Sequence, residues 1–274
     1  MSTSLISLGL GFGGGKASTS NGRISGGGGA IDGVLLTEAS EFLMTEDDNN
    51  LALDDLSTFN EYSVDFDGTN DYVDIGGINT ALSTAVTFSG WFKFSGSVCG
   101  IYSSGNAVST RVWFALISST SIRLGVGNGF TDATVSNLGT SWHHIAFTIS
   151  GTSAEVYLDG GNISSHTVST TSSNSFTNAR LSAFNTTSGA FGASLFALEG
   201  NLDEVSMYTT ALSSSDISTI YNSGTPADVS SLSPLGWWRM GDSNSGSGTL
   251  ITDLGSGGND GTLVNGATIV EDTP

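Results

Sequence analysis

Beyond residue 60 the chain alternates hydrophobic and polar positions with a period of two. In 62–66, Tyr62, Val64 and Phe66 point one way, and Ser63 and Asp65 the other. In 86–95, Val86, Phe88, Phe92 and Phe94 share a face opposite Thr87, Ser89, Trp91 and Lys93. In 143–149, His143, Ile145, Phe147 and Ile149 alternate with His144, Ala146 and Thr148. Each pattern predicts a strand with one buried face. Segments 111–118 and 121–126 are predicted to form a hairpin through the Ser-Ser-Thr-Ser stretch between them. Ala154, Val156 and Leu158 run into Asp159-Gly160-Gly161, a second hairpin signal. Further strands are expected near 180–184, 193–198 and 202–208.

One segment changes period. Ser213 is placed to cap a helix, with Asp216 three residues on as an acidic first-turn partner. Ile217, Ile220 and Tyr221 then share one helical face. Asn222-Ser223-Gly224 and Pro226 end it.

The flanks read differently. Residues 1–30 are rich in Gly and Ser with scattered Leu, Ile and Phe, and bury little alone. They read as a tail, or as an arm that orders against another subunit. Residues 35–55 repeat with a period of eight: Leu35, Leu43 and Leu51 share one phase, and Glu38, Glu46 and Asp54 another. Units this short must stack on themselves or on neighbours. Short strands with acidic turns are expected, with a helix over 37–44 as the alternative. At the other end, 235–266 reads LGWWRMGDSNSGSGTLITDLGSGGNDGTLVNGA. It either completes the preceding domain or opens a second one. Completion is expected, because so short a segment holds too little core alone. The expected division is therefore an arm and octad region, 1–60, and one domain, 61–274.

Composition narrows the partners. Lys plus Arg is 7 against 26 Asp plus Glu, a formal net charge of −19. Nucleic acid is excluded as a partner, since binding it needs cations that displace condensed counterions. An anionic membrane surface is disfavoured for the same reason, and no apolar run is long enough for a span. The N-terminus lacks the basic and apolar regions of a signal peptide. The single cysteine, Cys99, allows no internal disulfide and reads as a small buried thiol. A cation, calcium above all, is what acidic loops would favour.

Few residues suggest catalysis. Sugar cleavage requires two carboxylates flanking one bond. The nearest acids, Glu199, Asp203 and Glu204, are spaced to put Asp203 and Glu204 on opposite faces of a strand. Hydrolysis is not expected, and the chain is not read as an enzyme. His143 and His144 lack further metal partners apart from His166, so they read as structural. Of the tryptophans, Trp91 lies on the polar face of its strand and is best placed to stack on a sugar, with Trp113 as a second candidate. The alternative for Trp91 is packing beneath a loop or a neighbouring chain.

The phrases VDFDGTNDYVDIG (64–76), VTFSGWFKF (86–94), SWHHIAFTI (141–149), AEVYLDGG (154–161) and GNLDEVSMYTTALSSSDISTIYNSG (200–224), in that order, resemble the laminin-G-like branch of the concanavalin A-like lectin/glucanase superfamily. The resemblance implies an all-β fold, an antiparallel jelly-roll β-sandwich with an extended Gly-rich N-terminal arm. It also implies a structural calcium held between a late-strand carboxylate, Asp203, and an early loop, Asp67. The alternative for Asp67 and its neighbours Asn70, Asp71 and Asp74 is solvated turn residues. The octads and the WWRMGD tail resemble virion structural proteins of marine tailed phages. That likeness implies a capsid decoration, head fibre or tail-fibre component in the virion, made in the host cytoplasm. Residues 1–60 would bind other virion proteins, the chain would be a homo-oligomer with a trimer favoured, and a cell-surface glycan would be its ligand.

Overall fold

A computed structural model describes residues 43–44, 50–51, 60–78, 85–95, 98–104, 112–127, 129–168, 179–183 and 197–274. The chain divides into two units, 1–58 and 59–274. In the first, β1 (Leu43–Met44) pairs antiparallel with β2 (Asn50–Leu51), with Leu43 opposite Leu51. The octad period thus equals the pairing distance. The rest of 1–60, arm included, lies outside the described residues up to Asn60, as does most of the strand expected at 193–198.

The second unit is a sandwich of two eight-stranded antiparallel sheets. The first sheet contains β3 (Ser63–Asp67), β5 (Ala85–Phe94), β10 (Trp142–Ser150), β11 (Ser153–Leu158), β12 (Gly161–Thr167), β14 (Glu199–Tyr208), β15 (Gly236–Trp238) and β18 (Thr268–Val270). Its order is β12-β11-β10-β5-β14-β3-β18, and β15 also pairs with β14. The second sheet contains β4 (Tyr72–Asp74), β6 (Cys99–Ser104), β7 (Val112–Ser118), β8 (Ser121–Val126), β9 (Gly129–Thr134), β13 (Arg180–Leu181), β16 (Leu250–Ile251) and β17 (Gly261–Val264). Its order is β16-β17-β4-β13-β6-β7-β8-β9. Segment 235–270 therefore places two strands in each sheet.

The alternation read from the sequence sets the packing. Phe88 and Phe147 of the first sheet meet Tyr102 and Phe114 of the second, with ring centroids 4.9 to 6.4 Å apart. Val64, Phe66, Phe92, Phe94, Leu202 and Met207 share this core. Burying each such side chain stabilises by roughly 1.5–3 kcal/mol. At one edge Thr131 of β9 hydrogen-bonds His166 of β12 at 2.5 Å, joining the two sheets.

The outer face of the first sheet is roofed. Helix α1 (Ser214–Tyr221) carries the capping box: Ser213 accepts from the Asp216 amide, and the Asp216 carboxylate accepts from the Ser213 amide. Ile217 and Ile220 are buried against Ala146, Tyr157, Tyr208 and Trp237 in a second, smaller cluster. Among the described residues, no helix is long and apolar enough to cross a membrane.

Candidate functional site

The two tryptophans expected to meet sugar are both buried. Trp91 points outward from β5, but α1 lies over it. Its ring stacks on Tyr221 with centroids 5.7 Å apart, lies 5.4 Å from His144, and is 3% exposed. Trp113 points outward from β7 and is 7% exposed. Its indole lies flat over Gly125, where a Cβ would fall 1.8 Å from Trp113 Nε1. Any side chain at 125 would displace the ring. Neither tryptophan offers an open face to a saccharide.

Among the described residues, the open aromatic side chain is Phe130 on β9, 59% exposed. The β8–β9 register, with Val126 opposite Gly129, sets Gly125 opposite Phe130 and Arg123 opposite Asp132. The Arg123 guanidinium sits 4.0 Å from the Phe130 ring centroid. It is held there by Asp132, which accepts from Nε at 2.5 Å and Nη2 at 2.7 Å. That contact holds the Asp132 carboxyl below its ordinary range. The result is a clamped ion pair whose guanidinium lies over one face of the Phe130 ring, on the outer face of the second sheet. A comparable stack lies farther across the same face, with Arg180 4.7 Å from the Tyr72 ring.

The carboxylates behave differently from the sequence reading. Asp203 and Glu204 lie on the same outer face of β14, not on opposite faces. The register shifts between Asp203 and Ser206, and Glu204 adopts φ +45°, a left-handed bulge residue. The extra residue turns Glu204 to the side where Asp203 points. Both are sealed. Glu204 accepts from Trp237 Nε1 at 2.6 Å and Arg239 Nε at 2.8 Å. Asp203 is fully buried and accepts from Asn60 Nδ2 at 2.8 Å and from the Glu204 amide at 2.7 Å. Asp242 completes the group. Its Oδ1 takes the Glu61 and Tyr62 amides at 2.9 and 3.0 Å, and its Oδ2 lies 3.1 Å from Arg239 Nη2. Burial, then the Glu204 charge, pushes the Asp203 carboxyl well above its ordinary value; burial likewise raises Glu204 and Asp242. A proton on Asp203 Oδ2 would be donated to Asn60 Oδ1 with the amide turned over, giving a partner to an oxygen that has none here.

Asp67 and Asp203 do not fit one calcium ion. Asp67 pairs with Glu199, and Val64 with Leu202, so Asp203 lies four residues away from Asp67 along the ladder. That is about 13 Å, whereas calcium holds its oxygens at about 2.3–2.6 Å. Asp67 Oδ1 instead accepts from the Thr69 amide at 2.7 Å, the turn alternative. Among the described residues, no group of three or more His, Cys, Asp or Glu is arranged to hold a metal ion.

The histidines sort by environment. His143 Nδ1 meets Asp159 Oδ2 and its Nε2 meets the Leu138 carbonyl, both at 2.9 Å. Two acceptors favour the imidazolium, and its pKa is raised, chiefly by Asp159. His166 is level with Ile149 across β11, six residues from His143. His144 lies buried beneath Trp91 and Tyr221, 2.7 Å from Ser89 Oγ, and burial pulls its pKa down to about 4. The unfolded chain protonates this imidazole near pH 6.5, so stability is fully present above that pH and falls as pH drops toward 4. The loss is about 2 kcal/mol at pH 5. Asp203, Glu204 and His143, with raised values, push the opposite way as pH falls. Substituting His144→Gln isolates the one group. The wild-type-minus-variant stability, from urea titrations between pH 7 and 4, falls with a slope approaching one proton. A flat difference would show that His144 is solvated.

Asp203 and Glu204 are buried, the first sheet is roofed by α1, and the second sheet carries an exposed Arg–aromatic pair on its outer face. Residues 67–218 match the Laminin_G_3 family model, concanavalin A-like lectin/glucanases superfamily, over more than half of the chain. The chain belongs to this superfamily. A Bacteroides ovatus protein provisionally classed as carbohydrate binding superposes with a TM-score of 0.60 at 16% identity, covering 78% of this chain and 61% of that one. A heptameric SAP-like pentraxin of Limulus polyphemus gives 0.49 at 15% identity, covering 59% of this chain and 82% of that one. Domains LG4-5 of the mouse laminin alpha1 chain give 0.45 at 11% identity, covering 57% and 45%. The chain thus spans less than two thirds of the Bacteroides protein. No curated protein sequence matches it.

Proposed function

We propose that the chain is a non-catalytic carbohydrate-binding module displayed on a phage virion, as a capsid decoration, head fibre or tail-fibre component. Membership of a lectin superfamily supports saccharide binding. The observation that carries the reading is Phe130, exposed beside the clamped Arg123–Asp132 pair. The apolar face of a sugar ring would stack on the Phe130 face turned away from Arg123. The spare N–H groups of Arg123 would donate to hydroxyls, and Asp132 would accept from them. The sealing of Asp203 and Glu204 supports the absence of hydrolysis, because neither carboxyl can reach a glycosidic bond. Phe130→Ala weakens glycan-array binding by about tenfold or more, with the melting temperature unchanged. Undiminished binding by that variant overturns the site.

Residues 1–60 are the anchor in this reading, in a homo-oligomer with a trimer favoured, joined to other virion proteins. The matching of octad period to strand pairing at Leu43 and Leu51 supports it. The chain would be made in the host cytoplasm and leave with the particle, with no nucleic-acid or membrane partner. Ordering the arm costs about 1–2 kcal/mol per residue, which calls for an extensive mating surface. Co-sedimentation with particles is expected for the full chain and lost on deleting 1–60. A free lectin would bind glycans without co-sedimenting.

A further inference from the structure

We infer that the Arg239 guanidinium does the structural work that the superfamily resemblance assigns to a cation at Asp203, and that the domain is calcium-independent there. Three carboxyl groups, Asp203, Glu204 and Asp242, converge from two distant parts of the chain. A group of like charges in one buried place must be neutralised by a cation, by protons, or by both. Arg239, 4% exposed at its side chain, stands among them. It bonds Glu204 at 2.8 Å and approaches Asp242 at 3.1 Å.

The remaining oxygens are already committed to the polypeptide. Asp203 takes an amide from each side, from Asn60 and Glu204, and Asp242 takes the Glu61 and Tyr62 amides. Calcium needs six to eight oxygens presented together; here the donors already in place are N–H groups. The clasp joins the start of the domain, the β14 bulge and the segment after β15. It ties the two ends of the domain at the gap along β14, where pairing passes from β3 to β15.

Thermal melts of the full chain, in millimolar calcium and in excess chelator, test this. Wild type and Asp203→Asn each give curves that coincide in the two buffers. A chelator-induced drop in wild type that disappears in Asp203→Asn overturns the inference. A drop that persists in Asp203→Asn comes from another site and leaves Arg239 as the counter-charge here. Arg239→Ala supplies the converse. With the guanidinium gone, the melting temperature falls at pH 7 and recovers toward pH 5, because protons replace the lost counter-charge. A folded Arg239→Ala chain that melts like wild type at pH 7 would count against the guanidinium as the counter-charge. If Arg239→Ala does not fold, Arg239→Lys is read instead: it stays folded and indifferent to calcium, because its ammonium still supplies the charge. Sensitivity in Arg239→Lys that Asp203→Asn removes overturns the inference.

Discussion

Ending the chain after residue 234 abolishes cooperative folding of the sandwich. The removed segment supplies Trp238, Met240, Ile251 and Leu263 to the main core. At roughly 1.5–3 kcal/mol for each side chain, the loss is about 6–12 kcal/mol, comparable to the whole stability of an ordinary domain, about 5–15 kcal/mol. Backbone losses add to it. Thr262, Leu263 and Val264 pair with β4, while Thr268, Ile269 and Val270 pair with β3. Trp237 and Trp238 pair with β14. Removing them bares long stretches of strand edge, which invite aggregation. Circular dichroism of chain 1–234 should show no cooperative melt, and peptide 235–274 added in trans should restore one. A truncated chain that melts like the full one would mean that the segment is an independent appendage.

The same segment shows what the sequence could and could not disclose. Alternation in 62–66, 86–95 and 143–149 identified strands because each has one face in a continuous core, and a period of two records that directly. The helix was legible because its cap is local: Ser213 and Asp216 satisfy each other within four residues. Alternation does not say what covers the other face. Trp91 lies among polar neighbours in sequence, yet its roof comes from Tyr221, far along the chain. Trp113 is settled by Gly125, a relation visible only once the β7–β8 register is known. The Glu204 bulge left no mark, since one left-handed residue in ten interrupts no pattern long enough to read. Phe130, by contrast, has a signature in the sequence. Gly127-Asn128 between two strand-like runs is a two-residue hairpin signal in the sequence, and counting outward from it sets Arg123 against Asp132 and Phe130 against Gly125.

Arg239→Ala should be the most damaging single substitution at the clasp, costing about 3–5 kcal/mol. The loss comes less from the bonds removed than from what stays behind. Glu204, 7% exposed, keeps only Trp237 as a partner, and Asp242 loses its nearby cation. Two buried carboxylates beside Asp203 would then repel one another in a medium of low dielectric. The chain can escape by taking up protons, so the loss is largest at neutral pH and shrinks as pH falls. This sign follows from the raised carboxyl values: their protonated forms suit the folded state, so stability is regained toward acid. Glu204→Gln combined with Arg239→Met removes the Glu204 charge along with the guanidinium and recovers part of the loss, with Asp242 still lacking its cation. Urea titrations of wild type and the two variants at pH 7 and pH 5 measure all of this. A loss below about 1 kcal/mol for Arg239→Ala at pH 7 is the range of exposed ion pairs. It would mean that water already reaches Glu204 and Asp242, leaving nothing there for the guanidinium to neutralise.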